Sequence, residues 1–154
     1  MPKAVLDTTV LVSAFLNPKP GGASYDLLRF ADQGTFELCL SEGILEETAR
    51  VLLRSARNRR LYEYSDDDVV EYREGLARFA TLVTDLPEIK VVARDPNDDA
   101  IVACAIAAGA EYLVTRDKDL LSLKEHEGIL MTTPEKFLHT LRKRTGDTTE
   151  DGAT

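Results

Sequence analysis

Short, strand-like apolar runs alternate along this chain with longer stretches whose apolar positions recur every three or four residues. The short runs are KAVL (3–6), FELCL (36–40), IKVVA (89–93), EYLVT (111–115) and GILMT (128–132). The helical stretches between them carry recognisable ends. TTVLVSAFL (8–16) opens on the hydroxyls of Thr8 and Thr9, and SYDLLRFADQG runs from Ser24 to a closing Gly34. Ser41 is placed to cap EGILEETARVLLRS, and a helix over about 66–83 has three acids in its first turn, as the helix dipole prefers. Asp95-Pro96-Asn97-Asp98 is a strong helix start, with Asp95 as N-cap, Pro96 at the first helical position and Asp98 at the third. The helix it begins, AIVACAIAAG, is apolar on every face and is expected inside the domain. PEKFLHTLRKR makes the last helix, and NPKPGG (17–22) is a loop. Strands alternating with helices predict an α/β fold around a mostly parallel sheet of four or five strands.

Composition narrows the class. A chain of 154 residues forms one domain with a real core. That domain is expected over residues 1–144, with the acidic tail TGDTTEDGAT (145–154) disordered. No apolar run approaches the roughly 18 residues that span a bilayer, and no signal-peptide pattern opens the chain, so a cytoplasmic location without membrane contact is expected. Cys39 and Cys104 lie far apart in apolar runs and read as buried free thiols. The net charge of −8 opposes general nucleic-acid binding, but basic residues cluster locally. Arg54, Arg57, Arg59 and Arg60 fall in RSARNRR, and Arg142, Lys143 and Arg144 near the end. Read alone, each cluster is either a solvated helix end or loop, or a cationic surface.

The candidate chemistry lies in carboxylates placed where strand-like runs stop. Asp7 ends KAVLD, Asp98 opens the helix after KVVARDPN, Asp117 follows EYLVTR, and Glu47 lies in the helix after FELCLS. In a parallel α/β sheet the carboxyl ends of the strands share one edge, where such folds bind ligands. Carboxylates gathered there without cations repel one another, and a divalent metal is the usual reason to tolerate them. Asp95 already serves the cap, which leaves Asp98 free to point along the sheet edge, and Asp99 ranks below it. Glu46 and Glu47 both fall at the margin of their helix's apolar arc, with a slight preference for Glu47, one turn from Ile44 and Val51. Asp117 is nearer the strand end and is preferred, with Asp119 a candidate for a second metal or for supporting the first ligands from behind. Neither His126 nor His139 has the spacing of a zinc pair or a catalytic triad, and GxxxxGK[ST], GxGxxG and GxSxG are all absent.

Three segments taken together, LDTTVLVSAF, SEGILEETARVL and RDPNDDAIVACAIAAGAEYLVTRDKDLL, resemble the PIN domain family of metal-dependent ribonucleases. Within it they are most similar to the group related to the VapC-type toxins of toxin–antitoxin pairs. The resemblance covers about residues 3–140 and implies a PIN-like three-layer α/β/α nuclease domain. Asp7, Glu47, Asp98 and Asp117 match the family's four acidic positions. Thr9 stands where Asn, Ser or Thr is usual, Asp99 where Asn is more usual, and Arg116 where Gly is common.

The resemblance implies hydrolysis of an RNA phosphodiester by water activated on one or two Mg²⁺ or Mn²⁺ ions. Asp7, Asp98 and Asp117 would hold the metal with Asp119 available, and Glu47 would complete the shell directly or through water. Thr9 and Arg116 would position substrate, and Arg54, Arg57, Arg59 and Arg60 would follow the RNA backbone. A protein antitoxin is the implied partner, offering Arg or Lys to the carboxylates, and a homodimer would use apolar residues around Val12, Phe15, Leu28 and Phe30. One rival reading is a PIN-like RNA-binding or scaffold subunit that does not cut. Another is a phosphotransfer domain, for which Thr9 stands where a phosphatase needs its second Asp.

Overall fold

The computed structural model describes residues 1–90, 96–144 and 146. Its centre is a six-stranded sheet in the order β3-β2-β1-β4-β6-β5. The strands are β1 (Lys3–Leu6), β2 (Glu37–Ser41), β3 (Thr81–Val83), β4 (Tyr112–Val114), β5 (Glu125–His126) and β6 (Ile129–Thr132). All neighbours pair in parallel except β5 with β6. The helices are α1 (Thr8–Leu16), α2 (Ala23–Asp32), α3 (Glu42–Arg54), α4 (Ala56–Leu61), α5 (Asp66–Phe79), α6 (Pro96–Ala108), α7 (Lys118–Leu121) and α8 (Pro134–Arg144). This is the expected alternation of strands and helices around a mostly parallel sheet.

The helix ends follow local chemistry. Ser41 accepts from the Ile44 N–H at 3.2 Å and so turns the end of β2 directly into α3. Ser65 and Asp68 form a reciprocal capping box at the start of α5. Gly34, at φ 80°, donates to the Ala31 carbonyl and ends α2 in a conformation that a side chain disfavours. In α6 the five consecutive residues Ile101–Ala105 are all buried, as an all-apolar helix requires, and the helix packs on β1 and β2. Cys39 and Cys104 are buried free thiols, pushed up to about 11 and about 12 by that burial, so neither is a reactive nucleophile.

Two expectations need correction. The helix expected to reach residue 83 stops at Phe79, and Ala80 turns the chain into an extended conformation. Thr81–Val83 is instead the third strand, paired with Cys39–Ser41, and the Thr81 hydroxyl donates to Glu37 at 3.0 Å. Pairing with β2 overrides the helical spacing that continues through this stretch. Of the expected strand IKVVA, Ile89 and Lys90 belong to no strand, and residues 91–93 lie outside the described residues. The expected Asp95 cap also lies outside them, as does all of the 145–154 tail except Gly146. The sixth strand comes from a two-residue turn, Glu127-Gly128, that folds β5 back on β6.

No described helix is long and apolar enough to cross a membrane. A groove of about 630 Å³ runs between α1, α2 and the α4–α5 segment, lined by Phe15, Tyr25, Leu28, Tyr62, Tyr64 and Tyr72. Phe15 packs edge-on against Tyr64 at 5.1 Å, and the Tyr72 hydroxyl donates to the Leu11 carbonyl at 2.6 Å. None of Asp7, Glu47, Asp98, Asp117 and Asp119 lines this groove.

Candidate metal centre

Adjacent strands bring the first and the last of the expected carboxylates together. β1 lies beside β4 with Leu6 opposite Val114, and the Asp7 N–H extends that ladder by donating to the Val114 carbonyl at 3.0 Å. Asp7 then caps α1, accepting from the Val10 N–H at 3.2 Å. Three residues past the end of the neighbouring strand, Asp117 caps α7 in the same way, accepting from the Leu120 N–H at 3.0 Å. Both carboxylates therefore do structural work as caps, and both do it at the carboxyl edge of the sheet.

Between them sits Thr115, fully buried. Its hydroxyl donates to Asp7 Oδ2 and accepts from the Asp117 N–H at 2.9 Å. The other Asp7 oxygen accepts from the Thr9 hydroxyl at 2.5 Å, and Thr9 in turn accepts from the Arg116 N–H at 3.2 Å. Asp7 is 2 % exposed. Burial pushes its carboxyl above the usual carboxylate range, and the negative charge of Asp117 adds to that rise. The hydrogen bonds from Thr115, Thr9 and the Val10 amide offset it only in part.

Asp98, buried at the start of α6, joins Asp117 and Asp119 in one group. Each offers a carboxylate oxygen, and these lie within 4.8 Å of one another. Three hard oxygen donors so close together fit a hard divalent cation rather than a soft-ligand metal. Asp7 lies outside that group and is tied to it through Thr115 and Asp117.

Glu47 is also outside the group. Its carboxylate pairs with Arg50 one turn along α3, whereas Glu46 is exposed. The next residue, Thr48, bonds to the Ile44 carbonyl at 2.8 Å and reaches the Thr8 hydroxyl at 3.5 Å, which sets this turn of α3 against the start of α1. Arg116 points its guanidinium away from the carboxylates, to Glu135 at 2.9 Å and Ser24 at 3.4 Å. Burial pushes the Glu135 carboxyl up, but the Arg116 hydrogen bond and charge outweigh this and hold it below its usual range.

The expected basic surface divides in two. Arg54, Arg57 and Arg60 are exposed on α3 and α4, and none pairs with a carboxylate among the described residues. Arg59 is used internally: it bonds to the Tyr64 carbonyl at 3.0 Å, pairs with Asp66 and lies 4.6 Å from the Tyr64 ring centroid. Thr115 and Arg50 are absent from the expected site. The signal for Thr115 was a single polar residue closing the buried run LVT two positions before Asp117, and for Arg50 the i, i+3 spacing from Glu47.

The PIN domain family model matches residues 3–119. No curated protein sequence matches the chain significantly. Among solved structures, PAE2754 from Pyrobaculum aerophilum superposes with a TM-score of 0.62 at 18% identity, over 92% of this chain and 90% of that one. VapBC2 from Rickettsia felis, solved bound to a DNA fragment from its promoter, gives 0.59 at 14% identity over 85% of this chain and 98% of that one. At these identities both are likenesses of fold.

Proposed function

The chain belongs to the PIN domain family, whose members are generally nucleases that use divalent metals, and we infer that it is a Mg²⁺- or Mn²⁺-dependent endoribonuclease. The observation that carries this reading is the meeting of Asp98, Asp117 and Asp119, with ligand oxygens within 4.8 Å, beside a buried Asp7. In this reading Asp98, Asp117 and Asp119 hold the cation and Asp7 contributes to the same negative field. A divalent ion bound there supplies a water nucleophile at neutral pH and neutralises charge that develops on the phosphate. Thr115 fixes Asp7 relative to Asp117, and the hydroxyl of the exposed Thr9 orients Asp7 for the substrate phosphate. Arg54, Arg57 and Arg60 bind the RNA backbone away from the acidic group, which lets an acidic chain hold an acidic polymer.

The toxin role rests on the resemblance of its motifs to the VapC-type toxins, and it brings a protein antitoxin as partner. An inhibitor that offers an arginine suits this site, because clustered carboxylates without a metal attract a guanidinium strongly. The test is cleavage of a single-stranded RNA by purified protein with Mn²⁺, with Mg²⁺ and with chelator, set beside Asp98→Asn and Asp117→Asn. Metal-dependent cleavage lost in both variants is expected. RNA binding without cleavage under every metal condition would favour the scaffold reading instead.

A further inference from the structure

Arg50 is the first of the exposed arginines that continue along α3 and α4. Its Nε donates to Glu47 Oε1 at 3.0 Å, and its Nη2 donates to the same oxygen. The side chains are 51% and 28% exposed, so the pair is open to solvent on α3. The turn that carries it is set against the start of α1, where Thr48 meets Thr8 next to Asp7. Arg54 lies one turn further along α3, with Arg57 and Arg60 beyond it on α4. Of these four arginines, Arg50 is the one paired with a carboxylate among the described residues.

We propose that the Glu47–Arg50 pair is an exchange contact: Arg50 holds Glu47 in the RNA-free chain, and an RNA phosphate takes over the guanidinium and releases Glu47 toward the metal-binding carboxylates. This rests on the metal-dependent ribonuclease reading above. The exchange is chemically matched, because the guanidinium fork presents the same paired donors to a phosphate as to a carboxylate. It also meets little resistance, because an exposed ion pair is weak. Arg50 is thus a positioning residue that acts through Glu47, and it makes completion of the metal shell respond to substrate. In the RNA-free protein the pair should weaken metal binding, since it occupies a carboxylate that the ion would otherwise use.

The experiment measures Mn²⁺ affinity by calorimetry in the absence of RNA, and RNA affinity across a salt series. Arg50→Gln should bind Mn²⁺ about threefold tighter than wild type, the size expected for release from a weak surface pair. Combining it with Glu47→Gln should abolish that gain, since the effect runs through Glu47. Arg54→Gln is the comparison. Both arginine variants should lower the slope of log K against log salt by about 0.7, one phosphate contact on a single strand, but only Arg50→Gln should change Mn²⁺ affinity. Unchanged or weaker Mn²⁺ binding by Arg50→Gln overturns the exchange, as does a gain that persists without the Glu47 carboxylate. If wild type binds Mn²⁺ and cleaves RNA while either of those results is seen, the exchange alone fails. If wild type does neither, the metal reading fails and the exchange falls with it.

Discussion

Replacing Thr115 with Val would test whether one buried hydroxyl joins the two halves of the acidic site. Valine keeps the branched shape but leaves Asp7 Oδ2 without its donor and the Asp117 N–H without its acceptor. A hydrogen bond to an ionised group contributes about 1.5–3 kcal/mol and a neutral one about 1 kcal/mol. Thr115 and Asp7 are both buried, so water cannot restore the donor that Asp7 loses, and a combined loss of about 2–4 kcal/mol is expected. For a chain of this size, each kcal/mol shifts Tm by about 2–4 °C, so the midpoint should fall by about 5–15 °C. Thr115→Ser keeps the hydroxyl and should cost only about 1 kcal/mol for the missing methyl.

The pH dependence carries its own sign. Burial raises the Asp7 carboxyl above its ordinary 3.8, so the native state retains a proton that the unfolded chain has released. Stability from this group is therefore greatest below 3.8 and declines as pH rises through the folded-state value. The Thr115 hydroxyl is the strongest influence opposing that rise, so removing it raises the carboxyl further. The deficit of Thr115→Val relative to wild type should widen as pH rises from about 4 through the folded-state value. Thermal unfolding followed by circular dichroism across that range is the assay. If Thr115→Val unfolds no earlier than Thr115→Ser, or its deficit is flat with pH, the hydroxyl does not bridge the two carboxylates.

Asp7→Asn, Asp98→Asn and Asp117→Asn should each abolish metal-dependent RNA cleavage while the metal-free fold stays as stable or becomes slightly more so, since like-charge repulsion is relieved; cleavage at wild-type rate in added Mn²⁺ would remove that residue from the site. Glu47→Gln should weaken metal-dependent activity strongly and Glu46→Gln hardly at all, so equal losses would show that α3 presents the wrong glutamate. Replacing Arg54, Arg57 and Arg60 with Ala should reduce the salt dependence of RNA binding without moving Tm. Arg59→Ala should instead destabilise the protein by about 1 kcal/mol through its lost contacts with Tyr64 and Asp66, and a reversal of those two patterns would place Arg59 on the RNA-facing side.

Much of this arrangement is legible from local chemistry. Asp7 directly ends a buried apolar run, Asp117 follows one three residues on, and each caps the next helix, so both fall at one sheet edge once the strands are parallel. The same reasoning places Ser41 at the start of α3 and Asp98 at the start of α6. What it misses depends on contacts far apart in the chain. The Thr115 hydroxyl and the Asp7 carboxylate that receives it are 108 residues apart, and nothing near either residue records the pairing. The three-residue edge strand Thr81–Val83 is too short to announce itself after an amphipathic helix, and pairing with β2 alone defines it. In the β5–β6 hairpin Gly128 suits the positive φ of its turn, but Glu127 at φ 49° gives no such sign.

The aromatic groove has an optical consequence. The chain contains no tryptophan and five tyrosines. Tyr25, Tyr62, Tyr64 and Tyr72 line that one groove, while Tyr112 packs on Phe137 at 5.0 Å. Ultraviolet emission and near-ultraviolet dichroism from this protein therefore come mainly from a single face, and the acidic residues of the candidate centre do not line it. An unlabelled sample thus carries a built-in spectroscopic probe of whatever enters between α1, α2 and the α4–α5 segment. Events at Asp98, Asp117 and Asp119 would have to be followed by other means, such as the paramagnetism of Mn²⁺.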